Sequence, residues 1–220
     1  HSSNTIQSSY TSGNINISGR SYVGGLVGTI NSSVKNCFAQ GVNVTASAGS
    51  AGGFAGTFGS SASYDKISIK GTVNVTGTNC VGGYVGMSNI NISNLNANVT
   101  GTVKSTGGYV GGIVGSISSS RTISNCNATM NVTESGSSSY VGGIVGYSPN
   151  ATISQCSYNG TITVTGSSNV GGITSGYAET ISNCTTSGTI KASGNVRNIG
   201  GIIGYLSGSQ ITNCNSSMNI

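Results

Sequence analysis

Charge is what this sequence has least of. Three acids and eight Lys and Arg make up 5% of its 220 residues, against about 25% in an ordinary soluble protein. The three carboxylates, Asp65, Glu134 and Glu179, offer little to acid–base chemistry. Paired glycosidase carboxylates lie about 5–9.5 Å apart. Asp65 and Glu179 fall four repeats apart, on the order of 19 Å at the spacing of stacked strands. The single histidine is His1, so no Ser-His-Asp relay is expected. Without a C-x-x-C or an interior histidine, no zinc site is expected either. Neither catalysis nor a cofactor is therefore anticipated. The net charge of +5 comes from scattered bases, and there is no Trp. A nucleic-acid surface wants a basic stripe with aromatic platforms, which excludes that partner class. No run of about 20 apolar residues is present to span a membrane, and no signal peptide is visible.

What is abundant is repetitive. Ser and Thr number 64, Gly 37 and Asn 25. YVGGLVG at 22–28 returns as SAGGFAG at 50–56, CVGGYVG at 80–86, and YVGGIVG at 109–115 and 140–146. NVGGITSG at 169–176 and NIGGIIG at 198–204 complete the series, with glycine pairs spaced 28 to 31 residues apart. A fixed period of this size marks a solenoid of one stacked supersecondary unit. In the unit at 140–166, TITVT alternates polar and apolar with period two, a half-buried strand with Ile162 and Val164 inside. ATISQC supplies a second short strand and YVGGIVG a third, its glycine pair letting the chain turn a tight corner.

The sequence thus predicts an all-β fold: a parallel β-helix, or β-solenoid. It should have about seven coils of roughly 29 residues, three short strands per coil, each pairing one coil away at about 4.8 Å. The strong bias of parallel crossovers gives it a right hand. The sixth coil has Thr174-Ser175 where the others have Val-Gly, and a local bulge is expected there. Residues 1–220 form one array whose ends fall within coils, which is expected of a segment of a longer protein.

The G-G-[LIYF]-V-G core, followed about ten residues later by I-S-N-C, resembles the Glug-motif repeat, and nearly the whole chain takes part. The resemblance implies a secreted or surface protein with an adhesive or structural role, and carries over no catalytic residue.

Stacking places equivalent residues in columns. One reads Ser9, Cys37, Ile67, Leu95, Cys126, Cys156, Cys184, Cys214; its Ile and Leu mark it as inward. It is either a ladder of buried thiols acting as small hydrophobes or a set of disulfides between adjacent coils. The rung spacing falls within the Cα separation of about 4.4–6.8 Å that a disulfide accepts. The candidate pairs are Cys126–Cys156 and Cys184–Cys214, with Cys37 and Cys80 unpaired. The neighbouring column, Asn36, Lys66, Asn94, Asn125, Gln155, Asn183 and Asn213, is expected to be a structural amide ladder bonded up and down the stack.

N-x-[ST] sequons supply candidate glycosylation sites. Asn31 and Asn150 lie in turns; Asn16, Asn43, Asn74 and Asn131 form an outer column; Asn183, in the expected ladder, should stay bare. Threonines flank that outer column, as in Thr72-x-Asn74-x-Thr76 and Thr161-x-Thr163-x-Thr165, though Lys104 and Lys191 interrupt them. Among the tyrosines, Tyr22, Tyr109 and Tyr140 share a column before the glycine pair, with Tyr147 and Tyr205 after it.

The leading expectation is an extracellular or cell-surface structural repeat protein, N-glycosylated if its source permits. It would form a fibre, stalk or scaffold by self-association end to end or laterally. The alternative is an adhesin arm whose tyrosines contact surface carbohydrate. A third reading, ice binding, rests on the threonine array.

Overall fold

The computed structural model describes residues 4–136, 139–166 and 168–220. Among them there is no helix, and every strand pairing is parallel and joins equivalents one coil apart. Coil 3 shows the unit: Ser63–Asp65, Ser68–Gly77, Cys80–Gly82 and Val85–Ser88. We call these the Ile-Ser, long, Val-Gly and return strands, after their commonest residues. The long strand pairs with Phe38–Ala46 of coil 2 and Thr102–Ser105 of coil 4. Alternation sets its faces: Ile69, Val73 and Val75 are buried, while Lys70 and Thr72 are exposed. Seven Val-Gly strands and seven return strands each make a continuous sheet. The β-solenoid of about seven turns is as expected.

Coils 2, 3, 6 and 7 have four strands each, and coils 1, 4 and 5 have five because their long strand is in two pieces, where three were expected. YVGGIVG is not one strand bent at a corner but two strands in different sheets, folded back to back on the glycine pair. Coil 4 shows why. A Cβ on Gly111 would lie 2.1 Å from the Val114 carbonyl oxygen, and one on Gly112 would lie 2.2 Å from that of Gly143 in the next coil. A Cβ on Gly115 would come 2.4 Å from the Val81 nitrogen of the preceding coil. The first glycine lets the chain reverse, the second lets coils stack at the reversal, and the third lets the return strand lie flat on its neighbour. All three are demanded by close backbone approach.

No bulge appears at coil 6. Thr174 keeps the register of Val145 and Ile203, and Gly176 pairs with Tyr205. Ser175 simply takes the third-glycine place, and its hydroxyl donates to the Gly146 carbonyl at 2.5 Å. The buried hydroxyl is satisfied, and the register slips only after Gly176, where the chain from Thr174 to Ile181 is one residue shorter than that from Val145 to Ile153. The stack does break elsewhere. The Ile-Ser strands form sheets of three and five, parted between Ser63–Asp65 and Ile92–Ser93. Tyr64 stands there where other coils have Val or Ile. Its hydroxyl bridges the gap, donating to the Ser93 carbonyl at 3.0 Å and accepting from the Ser93 N–H at 2.6 Å.

One hydrophobic core runs through all coils. Phe54, Tyr84, Ile113, Ile144 and Ile173 fill its centre from the position after the glycine pair. Tyr84 is buried with its hydroxyl on the Ile67 carbonyl at 2.9 Å.

Candidate functional surfaces

The cysteine column lies at the corner between the Ile-Ser and long strands and holds five of the six cysteines: Cys37, Cys126, Cys156, Cys184 and Cys214. All six cysteines of the chain stand as thiols. Cys126, Cys156, Cys184 and Cys214 each direct sulfur to the carbonyl two residues back, at 3.2 to 3.3 Å. Backbone bonds tie the rungs, as in Ser157 N–H to Cys126 carbonyl and Thr185 N–H to Cys156 carbonyl, both 3.0 Å. Cys156 stands between Cys126 and Cys184. Hydrogen bonding to both neighbours, with burial added, pushes its pKa up. The same contacts draw Cys126 down and Cys184 down to about 7. Cys37 is buried against the Ile6 and Lys35 carbonyls. Cys80, in another column, is raised to about 11 by burial.

The column expected to be an amide ladder serves the backbone instead. Asn36, Asn94, Asn125, Gln155, Asn183 and Asn213 all have φ between 50° and 57°, and Ser8 and Lys66 in the same column have φ of 49°. Their side chains are exposed, and no hydrogen bond joins them among the described residues. Each is a left-handed residue that swings the chain inward before the cysteine. Asn is favoured there because it tolerates that conformation better than other non-glycine residues.

Amide ladders do exist, in the column expected to carry sugar. Asn43 donates to the side-chain oxygens of Asn14 at 3.2 Å and Asn16 at 2.9 Å. Asn74 donates to Asn43 at 2.8 Å, and its own oxygen accepts from the Thr102 N–H at 3.2 Å. Asn131 likewise accepts from the Thr161 N–H at 3.1 Å. Asn127 to Asn96 and Asn198 to Asn169, both 2.7 Å, repeat the device elsewhere. Asn31 and Asn150 are exposed in turns, and the Asn150 amide donates to Ser119 Oγ at 3.3 Å.

The tyrosines form a ridge. Tyr109 stacks on Tyr147 with ring centroids 4.8 Å apart, and Tyr140 lies 5.4 Å from Tyr147. Tyr177 joins them at 5.7 Å from Tyr140, and Tyr205 follows at 5.6 Å from Tyr177. Hydrogen bonding to Tyr140 raises the pKa of the Tyr177 phenol. Tyr22 shares the first column but stands apart, 55% exposed. Tyr177 escaped the repeat pattern because it enters from the left-handed turn after Gly176, at φ 66°.

The three acids are separate. Asp65 and Glu179 are exposed in different coils, whereas Glu134 is buried, accepting from Ser139 Oγ at 2.7 Å and from the Gly136 N–H. Among the described residues no group of acids, cysteines and histidines could hold a metal.

The family model of the GLUG motif matches residues 19–45 and 195–220. These spans hold the first and last glycine triplets, Gly24-Gly25-x-x-Gly28 and Gly200-Gly201-x-x-Gly204. No curated protein and no solved structure matches the chain.

Proposed function

Because this chain carries the GLUG motif on a continuous β-solenoid, we propose that it is an extracellular or cell-surface structural protein, a scaffold or stalk rather than an enzyme. The observation that carries the reading is the use of its chemistry-bearing side chains. The cysteines face the core, the turn asparagines shape the backbone, and the strand asparagines bond to one another along the axis. Each repeated polar column stiffens the stack, as a rod under load requires. The low charge lets such rods approach without repulsion, and self-association end to end or side by side would extend them. Asn31 is the candidate at which N-linked sugar costs no bond between coils, whereas at Asn150 it would take the amide that donates to Ser119 Oγ. In an oxidising exterior the pairs Cys126–Cys156 and Cys184–Cys214 would staple adjacent coils. Electron microscopy of the native material tests the proposal: rods or fibres of uniform cross-section are expected, and compact isolated particles would overturn it.

The tyrosine ridge favours a second reading, an adhesin arm. Five rings spanning four coils on a surface of Ser, Thr and Asn are the kind of amphipathic patch used at recognition surfaces. The flat threonine array is less apt for ice, since Lys104 and Lys191 sit in register with Thr76 and Thr163.

A further inference from the structure

One coil is shorter than its neighbours on the outer face of the long strands. Ala39 pairs with both Thr11 and Ile69, and Val42 with both Ile15 and Val73. Between these fixed points coil 1 has Ser12-Gly13-Asn14 and coil 3 has Lys70-Gly71-Thr72. Coil 2 has only Gln40-Gly41, and the register shifts there. The missing residue is the outward one that would lie between Asn14 and Thr72. Its absence leaves a notch in the sheet surface, walled by Asn14, Gln40, Asn43 and Thr72.

The floor is closed to side chains. Gly13, Gly41 and Gly71 run beneath it with φ of 111°, 62° and 69°, a region that disfavours any Cβ. A Cβ on Gly41 would also strike the Gly13 carbonyl oxygen at 2.4 Å. The walls are polar and preset. Asn43 is clamped by Asn14, Asn16 and Asn74, and the Thr72 hydroxyl is held by that of Thr100 at 3.0 Å. The Gln40 amide has no hydrogen-bond partner among the described residues and is exposed beside the notch. On the same face, two residues before Gln40, Phe38 stacks on Tyr10 at 4.8 Å and 5°. Lys70, the one charge at the border, is held over the Phe38 ring at 4.2 Å.

We propose that this notch binds a neutral sugar, one pyranose residue of a glycan. Vicinal hydroxyls each donate and accept, and amides offer both functions side by side. Phe38 offers no open ring face, with Tyr10 on one side and Lys70 on the other, so recognition rests on these polar groups. The border lacks carboxylates and has its one cation engaged, so nothing selects a charged ligand. A short, open site of this kind binds weakly by itself, in the millimolar range for one sugar. The proposal does not depend on the scaffold reading, which holds with the notch empty. It gives the arm reading a specific site in coils 1 to 3, away from the tyrosine ridge.

The test is a titration of the isotope-labelled chain with neutral oligosaccharides of hexose and N-acetylhexosamine, followed by amide NMR. Shifts are expected at the side-chain amides of Gln40, Asn14 and Asn43 and at the Gly41 backbone, with Gly112 unmoved. Gln40→Ala and Thr72→Ala, on exposed side chains, should each weaken binding by about tenfold. Inserting Asn between Gly41 and Val42 restores the length of coil 1, fills the notch and should abolish binding while the remaining spectrum is kept. Three results would overturn the proposal: no shift with any neutral saccharide, shifts only with sulfated or uronic saccharides, or shifts centred on Tyr140 and Tyr177.

Discussion

At the second glycine of each motif the backbone of the next coil stands where a side chain would begin. The carbonyl oxygen of Gly143 faces Gly112, and neither is the end of a flexible group that could swing aside. Gly112→Ala should therefore cost about 3 kcal/mol. Gly107→Ala, whose new carbon would meet nothing closer than the Thr78 carbonyl oxygen at 3.6 Å, should stay within about 0.5 kcal/mol. Urea denaturation of the two variants checks this; equal losses would mean that the coils can part to admit a methyl group. The thiol column has its own residue-scale consequence, because the thiolate is the attacking species in disulfide exchange. Oxidised glutathione reaches Cys214, the one half-exposed member, and forms a mixed disulfide with release of one glutathione. The Cys184 thiolate, favoured by its pKa near 7, then attacks the Cys214 sulfur and expels the second. Because burial raises the Cys214 pKa, its own attack on glutathione is the slower step, and the Cys184–Cys214 bond should form faster as pH rises through 7 and go on quickening above it, as followed by peptide mapping under non-reducing conditions. A rate independent of pH would place the attack elsewhere.

At the scale of the element, the left-handed corner and the outer ladder exchange the roles that spacing alone suggests. Both are columns of asparagine, and a repeat alignment shows only that an amide returns at each coil. It cannot tell an amide kept for its side chain from one kept for its tolerance of positive φ. Lys66 and Gln155, within the corner column, were the available clue: neither continues an asparagine ladder, yet both sit at φ near 50°. Likewise TITVT and its counterparts showed which residues face inward, since strict alternation is sufficient for that. YVGGIVG could not show that it folds back on itself, because the partner that forbids each Cβ comes from another part of the stack. The notch was just as hidden. It depends on coil 2 being one residue short at a place where both neighbours keep the register. A test of the corner assignment follows. Asn125→Gly should be tolerated or slightly stabilising, because glycine adopts φ 52° freely. Asn125→Val should lose about 1–2 kcal/mol through the clash of its branched Cβ. If the side-chain amide were the reason for the residue, thermal unfolding would show both variants equally weakened.

At the scale of the molecule, every coil touches chiefly the coil before and the coil after it, and equivalent strands recur from coil to coil. Stability in such an array is close to a sum of coil terms and nearest-neighbour terms, with no remote contact to satisfy. A whole coil should then be removable, provided the cut respects register. Gly142 pairs with Gly171 and Gly171 with Gly200, so excising residues 143–171 joins Gly142 to Gly172, the equivalent of Gly143. The Ile-Ser and long strands of coil 5 would then meet those of coil 7, Ile123 over Ile181 and Cys126 over Cys184, with apolar columns unbroken. The shortened chain should keep its β-type circular dichroism and elute as a shorter folded rod, with a modest fall in unfolding midpoint. Excising 146–174 instead removes a stretch of equal length at a different phase, again joining equivalent places, and should also fold. Removing 143–164, which joins Gly142 to Thr165, puts the residue that follows the long strand where the glycine reversal must be, and should give an unfolded or aggregated product. If both in-phase excisions unfolded as completely as the out-of-phase one, coupling across more than one coil would hold the structure together, and the nearest-neighbour account of this solenoid would be wrong.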